Sequence, residues 1–172
     1  VMNVFHRQRS AVLFGLLTTS ILLLAQVPAH AASATILDRT AAAKVMPATV
    51  FFRGQTVSTQ ARNSCGIHFA NGKYMLSALV DTSGYATEVK QKYQGYLLTE
   101  VPLDFGGHHL GPGAYGFGFI NKNRFVVLNI GGEQVLETSW HASTSERPVP
   151  LRVLPAKDGY ELCSGRECVD FR

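Results

Sequence analysis

Charge is scarce in this 172-residue chain: Asp, Glu, Lys and Arg together make up 16% of it, against about 25% in an average globular domain. The formal net charge is only +4, and no cluster of Lys and Arg stands in the chain after residue 31. A basic patch for nucleic acid is therefore excluded as an expectation. Cysteine is also rare, with three residues, so the chain is not a disulfide-dense miniature scaffold. The familiar catalytic and metal spacings are missing. There is no H-x-H, no H-E-x-x-H, no zinc-type Cys/His pattern, no G-x-S-x-G elbow and no C-x-x-C. The sequence accordingly calls for no metal and no cofactor.

Long apolar runs are confined to the first 31 residues. Arg7 and Arg9 give a basic start, and Ala11 to Ala25 is apolar apart from Thr18, Thr19 and Ser20. Pro28 and the small-x-small triplet Ala29-His30-Ala31 follow. That order is what a secretory signal peptide requires, and the apolar core is shorter than the ~20 residues of a spanning helix. The expectation is an export signal over residues 1–31 and one β-rich domain over residues 32–172, with no membrane span after cleavage. Localisation is then periplasmic or secreted. Cleavage removes two of the 16 basic residues and no acidic one, leaving 14 against 12.

The remaining chain is rich in glycine, aromatic and β-branched residues, and helical periodicity is short-lived. This favours a mostly β fold, an antiparallel barrel or sandwich of roughly eight or nine short strands with one or two short helices. Four hairpins can be registered from the turn residues. Asn71-Gly72, read as a two-residue type I′ turn, pairs Phe69 with Tyr74, Ile67 with Leu76 and Cys65 with Ala78. Gly106-Gly107 pairs Leu103 with Leu110, Asp104 with His109 and Phe105 with His108. Asn121-Lys122-Asn123 reads as a three-residue loop that sets Phe119 against Phe125 and Phe117 against Val127. A loop at Ser164–Glu167 sets Leu162 against Val169 and Tyr160 against Phe171. Cys163 and Cys168 then fall directly opposite each other on the polar face with Glu161 and Asp170, at disulfide distance. Cys65 is left as a free, core-facing thiol.

Elsewhere, Asp38 caps a short helix ending before Pro47, and Thr49–Thr59 reads as one strand bent at Gly54. Gly84–Gln94 reads as a helix capped by Ser83, with Tyr85, Val89 and Tyr93 on its apolar side. Ser139–Pro148 reads as a loop carrying the only Trp, and Leu151–Leu154 as a strand.

In the third hairpin, Tyr115, Phe117 and Phe119 alternate with Gly116 and Gly118. One face is an aromatic stripe and the other almost bare backbone. Neither carries charge, so each needs a cover: a packed helix or second sheet on the glycine face, or a groove for an apolar ligand. Among ionisable residues, Asp104 and His109 pair across a hairpin, while His108 and His109 point to opposite faces. Leu79–Gly84 approaches the Asp-Thr-Gly of aspartic proteases, yet Ser83 takes the glycine's place and no second copy exists.

From Tyr96 to Ile130, the residues Val101, Leu103, Gly106, Gly107, Leu110, Pro112, Gly113 and Tyr115 form a pattern that resembles a hairpin of small exported bacterial proteins of unknown function. The resemblance implies export and a β-fold and brings no catalytic residue. The leading functional expectation is a non-catalytic exported β-domain that binds an apolar ligand or a protein partner through Tyr115, Phe117 and Phe119. The alternatives are a hydrolase assembled from Asp81, Asp104, His109 and His141, or a structural component of the cell envelope.

Overall fold

The computed structural model describes residues 33–172, so the expected signal segment lies outside the described residues. Among the described residues, fourteen strands and two helices follow one another. These are β1 (Thr35–Leu37), α1 (Arg39–Val45), β2 (Thr49–Phe52), β3 (Gln55–His68), β4 (Tyr74–Val80), α2 (Thr87–Lys92), β5 (Gly95–Thr99), β6 (Leu103–Phe105) and β7 (His108–Leu110). They continue with β8 (Gly113–Ile120), β9 (Arg124–Leu128), β10 (Gln134–Ser139), β11 (His141–Ala142), β12 (Val149–Ala156), β13 (Gly159–Gly165) and β14 (Glu167–Phe171). The strands are more numerous than expected because turns cut the longer stretches.

The large sheet runs β1-β3-β4-β5-β8-β9-β10, with β2 folded back on β3. A four-stranded sheet, β11-β14-β13-β12, and the small hairpin β6-β7 complete the fold. Pairing is antiparallel throughout. β1 and β10 end the large sheet without meeting, so the fold is a sandwich and not a closed barrel. No helix among the described residues is long and apolar enough to cross a membrane.

One core lies between the sheets. Phe117, Phe119, Phe125 and Val127 of the large sheet meet Leu162, Val169 and Phe171 of the second sheet and Leu103, Phe105 and Leu110 of the small hairpin. A second core covers the other face of the large sheet. There Leu76, Val80, Tyr96 and Leu128 meet Val50 and Phe52 of β2, and Tyr85 and Tyr93 flanking α2. Both faces of the β8–β9 hairpin are thus covered, as their lack of charge requires.

The glycine face is closed by backbone approach. A Cβ on Gly118 would strike the Lys92 carbonyl oxygen at the end of α2, and one on Gly116 would lie 2.7 Å from the Tyr93 ring. Gln94 seals this contact: its Nε2 donates to the Phe119 carbonyl oxygen (2.8 Å), and its Oε1 accepts from the Phe119 amide (3.0 Å).

Three of the four registers are observed as expected. Asp104 faces His109, Phe119 faces Phe125, Leu162 faces Val169 and Cys163 faces Cys168. The third turn uses positive φ at Lys122 and Asn123. Cys163 and Cys168 form a disulfide, and Cys65 is free and buried. Both bridged cysteines are fully buried, although they alternate with the core residues Leu162 and Val169 and so share the outer face with Glu161. The segment after β11 folds back there: the Ser143 amide donates to the Arg166 carbonyl oxygen, and Arg152, opposite Cys163, reaches Ser143 Oγ (3.3 Å).

The register at Asn71-Gly72 differs by one residue. Ile67 faces Met75, Gly66 faces Leu76 and Cys65 faces Ser77. Gly72 has φ +79° but Asn71 is not left-handed, so a type I′ turn is not formed. The loop is Ala70-Asn71-Gly72, closed by the Gly72 amide on the Phe69 carbonyl oxygen (2.9 Å). A one-residue slip exchanges the faces of β4. Met75 and Ser77 now point between the sheets, while Leu76, Ala78 and Val80 enter the second core. YMLSALV is apolar on both faces except for Ser77, so its pattern opposes the observed register at one hydroxyl only.

Three smaller expectations are corrected. Thr49–Thr59 is a hairpin rather than a bent strand, because Arg53 (φ 48°) and Gly54 (φ 79°) form a two-residue turn. The second helix is shorter than Gly84–Gln94 and starts after Ala86, which offers no side-chain cap. Asp81 and Thr82 draw the preceding residues into turns, through the Ser83 amide on Asp81 Oδ1 and the Tyr85 amide on the Thr82 carbonyl oxygen. Finally, the stretch read as a polar loop contains the end of β10 and all of β11. Its Trp140 is half-buried and donates from Nε1 to the Ile120 carbonyl oxygen (3.1 Å).

Candidate functional site: a groove between two edge strands

The aromatic stripe is filled core. Phe117 is fully buried and Phe119 nearly so, with ring centres 6.2 Å apart and Phe125 at 5.8 and 4.9 Å. Tyr115 is half-buried and donates its hydroxyl to the Gly111 carbonyl oxygen (3.0 Å). The ligand face expected at Tyr115, Phe117 and Phe119 is occupied by the protein's own second sheet, and none of the three borders either cavity described next.

A groove of about 710 Å³ opens where the two sheets part, between the edge strands β1 and β12. A register shift between Thr59 and Ser64 borders this opening. Residues 60–63 form a bulge that satisfies itself, with Gln60 Nε2 on the Val80 carbonyl oxygen (3.2 Å) and Asn63 Nδ2 on Gln60 Oε1 (2.7 Å). Such a bulge bends its strand and re-aims the side chains beside it. The lining includes Ile36, Leu37, Cys65, Val149, Leu151 and Val153. Val149 is 40% exposed, one of the few large hydrophobic residues so open to solvent.

Arg39, Arg62 and Arg152 also line the groove. No ion pair among the described residues involves any of the three. The Arg152 guanidinium turns away from the groove, to Ser143 Oγ (3.3 Å) and the Arg147 carbonyl oxygen, and only its buried Nε has no hydrogen-bond partner. The one acidic residue of the lining, Asp38, is committed to helix α1, where its Oδ1 accepts from the Ala41 amide (2.8 Å). An apolar floor with unneutralised guanidinium groups at its margin is the composition of a site for a ligand with an apolar body and an anionic end. Burial pushes the Cys65 thiol at this floor up to about 12, which keeps it protonated and unreactive.

The hydrolase candidates are not brought to one place. Asp81 is exposed, and its carboxyl is held low by hydrogen bonds from Ser83. Asp104 and His109 form the cross-strand pair expected of them (3.3 Å), and His141 of β11 pairs with Asp170 of the neighbouring β14 (3.4 Å) in the second sheet. Asp104 and Asp170 do border a shared cavity of about 530 Å³, with Tyr160, Glu161 and Arg172, but neither histidine lines it.

The groove was not read from the sequence. Its walls come from residues 36–39, 62–65 and 149–154, and no local pattern links them. The one available signal was the polar run Gln60-Ala61-Arg62-Asn63 inside an otherwise apolar strand, which marks the bulge. No family model matches the chain, and it matches neither a curated protein nor a solved structure.

Proposed function

We propose that the protein is an exported binding module that takes an apolar molecule with an anionic end into the groove between β1 and β12. The observation that supports it is the pair of guanidinium groups of Arg39 and Arg62, without ion-pair partners, on an apolar groove between the sandwich's two edge strands. In this reading the ligand's chain lies on Leu151, Val153 and Ile36, while its acid group meets Arg39 and Arg62. Export follows from the basic, apolar and small-residue order of residues 7–31, with the mature chain beginning near Ala32. N-terminal sequencing of the exported protein checks that address.

Calorimetric titration with dodecanoate tests the groove, with dodecanol as the neutral control. Dodecanoate binds with Kd of about 10 µM or tighter, and loss of one charge-assisted contact in Arg62→Ala or Arg39→Ala weakens it about tenfold. Dodecanol binds at least as weakly as dodecanoate does to those variants. Absence of dodecanoate binding, or equal binding by wild type and both arginine variants, overturns the proposal.

A further inference from the structure

Alternation along β13 and β14 divides the second sheet into an inner and an outer face. Leu162, Val169 and Phe171 point inward to the core, so Glu161 and Asp170 stand on the outer face. They are directly opposite each other across the ladder. Like charges in that position repel, and a stable strand pair ordinarily avoids them or neutralises them. No Lys or Arg among the described residues forms an ion pair with either carboxylate. Of the cationic side chains nearby, Arg152 directs its guanidinium toward Ser143 and the Arg147 carbonyl oxygen, and Arg172, which with Lys157 lines the cavity the two acids border, reaches to Asp104 (3.9 Å).

His141 completes the group. Strand β11 pairs it with Cys168, two residues before Asp170 and on the same face, and its Nε2 lies 3.4 Å from Asp170 Oδ2. One donor atom each from His141, Glu161 and Asp170 falls within 4.8 Å of the others. Ligands bound at about 2.0–2.2 Å to a tetrahedral ion sit about 3.3–3.6 Å from one another. The imidazole is also oriented for the task. Its Nδ1 is 3.4 Å from the Ala142 carbonyl oxygen, an acceptor that favours the proton on Nδ1 and leaves Nε2 free to ligate.

We propose that His141 Nε2, Glu161 and Asp170 form a binding site for a divalent transition metal ion of the zinc type. One imidazole and two carboxylates suit such an ion, and they remove the repulsion between the two facing acids. The frame is stiff, because the Cys163–Cys168 disulfide spans the same ladder two rungs away, on the same face. The three ligands occupy one side of the ion. Glu161 and Asp170 also border the 530 Å³ cavity, so the remaining coordination positions face open space that a water or an exogenous ligand can enter. This site shares no residue with the groove and stands independently of the reading of that groove.

Zinc titration of the purified, metal-stripped protein tests the site. Wild type binds one equivalent lost by substitution, with Kd of about 10 µM or tighter. His141→Ala, Asp170→Asn and Glu161→Gln each weaken that equivalent by about tenfold or more. His109→Ala, which removes the other His–Asp pair of the second cavity's surroundings, Asp104–His109, leaves it unchanged. Zinc raises the wild-type melting temperature and leaves that of His141→Ala where it was. Metal-free melts of the variants confirm that each is folded. No zinc binding by wild type, or the same affinity in His141→Ala as in wild type, overturns the proposal.

Discussion

The two faces of strand β8 are both buried, by opposite means. On one, Phe117 and Phe119 interlock with Phe125, Leu162 and Val169, so large side chains from two sheets fill the space between them. On the other, Gly116 and Gly118 present bare backbone, and the end of α2 comes down onto it until Tyr93 and the Lys92 carbonyl oxygen touch. The first face is closed by volume and the second by the absence of it. Volume can be lost gradually, whereas backbone against backbone has no slack. Phe117 and Phe119 bring no polar side-chain atom to the aromatic face, while the glycine face buries a phenol.

The largest effect expected from that contrast is at Phe117. Its truncation to Ala removes a fully buried ring among Phe119 and Phe125, and chemical denaturation should show a loss of about 3–5 kcal/mol. A loss under about 1 kcal/mol would mean that the sheets can collapse over the gap, contrary to interlocked packing. Gly118→Val probes the other face. The added carbons meet the Lys92 carbonyl, and overpacking of this kind costs about 1–3 kcal/mol. Because the strain falls on the contact with α2, amide exchange over residues 87–94 should accelerate while the second sheet keeps its protection. Uniform acceleration throughout the protein would show that the two cores do not respond separately.

How much of this was legible from the chain depends on what each stretch offers. The hairpins at Gly106-Gly107, Asn121–Asn123 and Ser164–Glu167 are legible in register because their turns admit one loop length and their flanking residues agree with it. The pairing of Cys163 with Cys168 followed from Leu162–Val169 and Tyr160–Phe171. The aromatic and glycine faces were legible as uncharged, and hence as covered. At Asn71-Gly72 the same turn grammar places β4 one residue off, since Tyr74–Val80 is apolar on both faces apart from Ser77, which the expected register keeps off the core face. The cost of the observed register is visible in Ser77, whose Oγ is buried without a partner on the inner face. The groove and the His141–Glu161–Asp170 cluster lie further from reach. One joins three segments more than twenty residues apart in sequence, and the other needs β11, a two-residue strand in a stretch that reads as loop.

The smallest expected effect is the most diagnostic for the glycine face. Tyr93 is fully buried, stacked on Phe52 at 3.7 Å and edge-on to Tyr85 at 5.5 Å, and its hydroxyl has no hydrogen-bond partner. The neighbouring Tyr85, by contrast, donates its hydroxyl to the Phe52 carbonyl oxygen (2.6 Å). Replacing Tyr93 by Phe keeps the ring and removes only the stranded oxygen, so the variant should gain about 1 kcal/mol at neutral pH. Burial, with the nearby Tyr85 and Tyr96 phenols adding to it, raises the Tyr93 phenol above its ordinary range. A folded-state value above the unfolded one near 10 makes stability complete below about pH 10 and erodes it as pH rises toward the folded value. Tyr85 and Tyr96 are shifted the same way and erode in both proteins. The gap between Tyr93→Phe and wild type should therefore widen from pH 8 to alkaline pH, a difference that urea melts at several pH values will read. A variant less stable than wild type at pH 8 would show that the hydroxyl is satisfied in solution, and that the glycine face is wetter than the aromatic one.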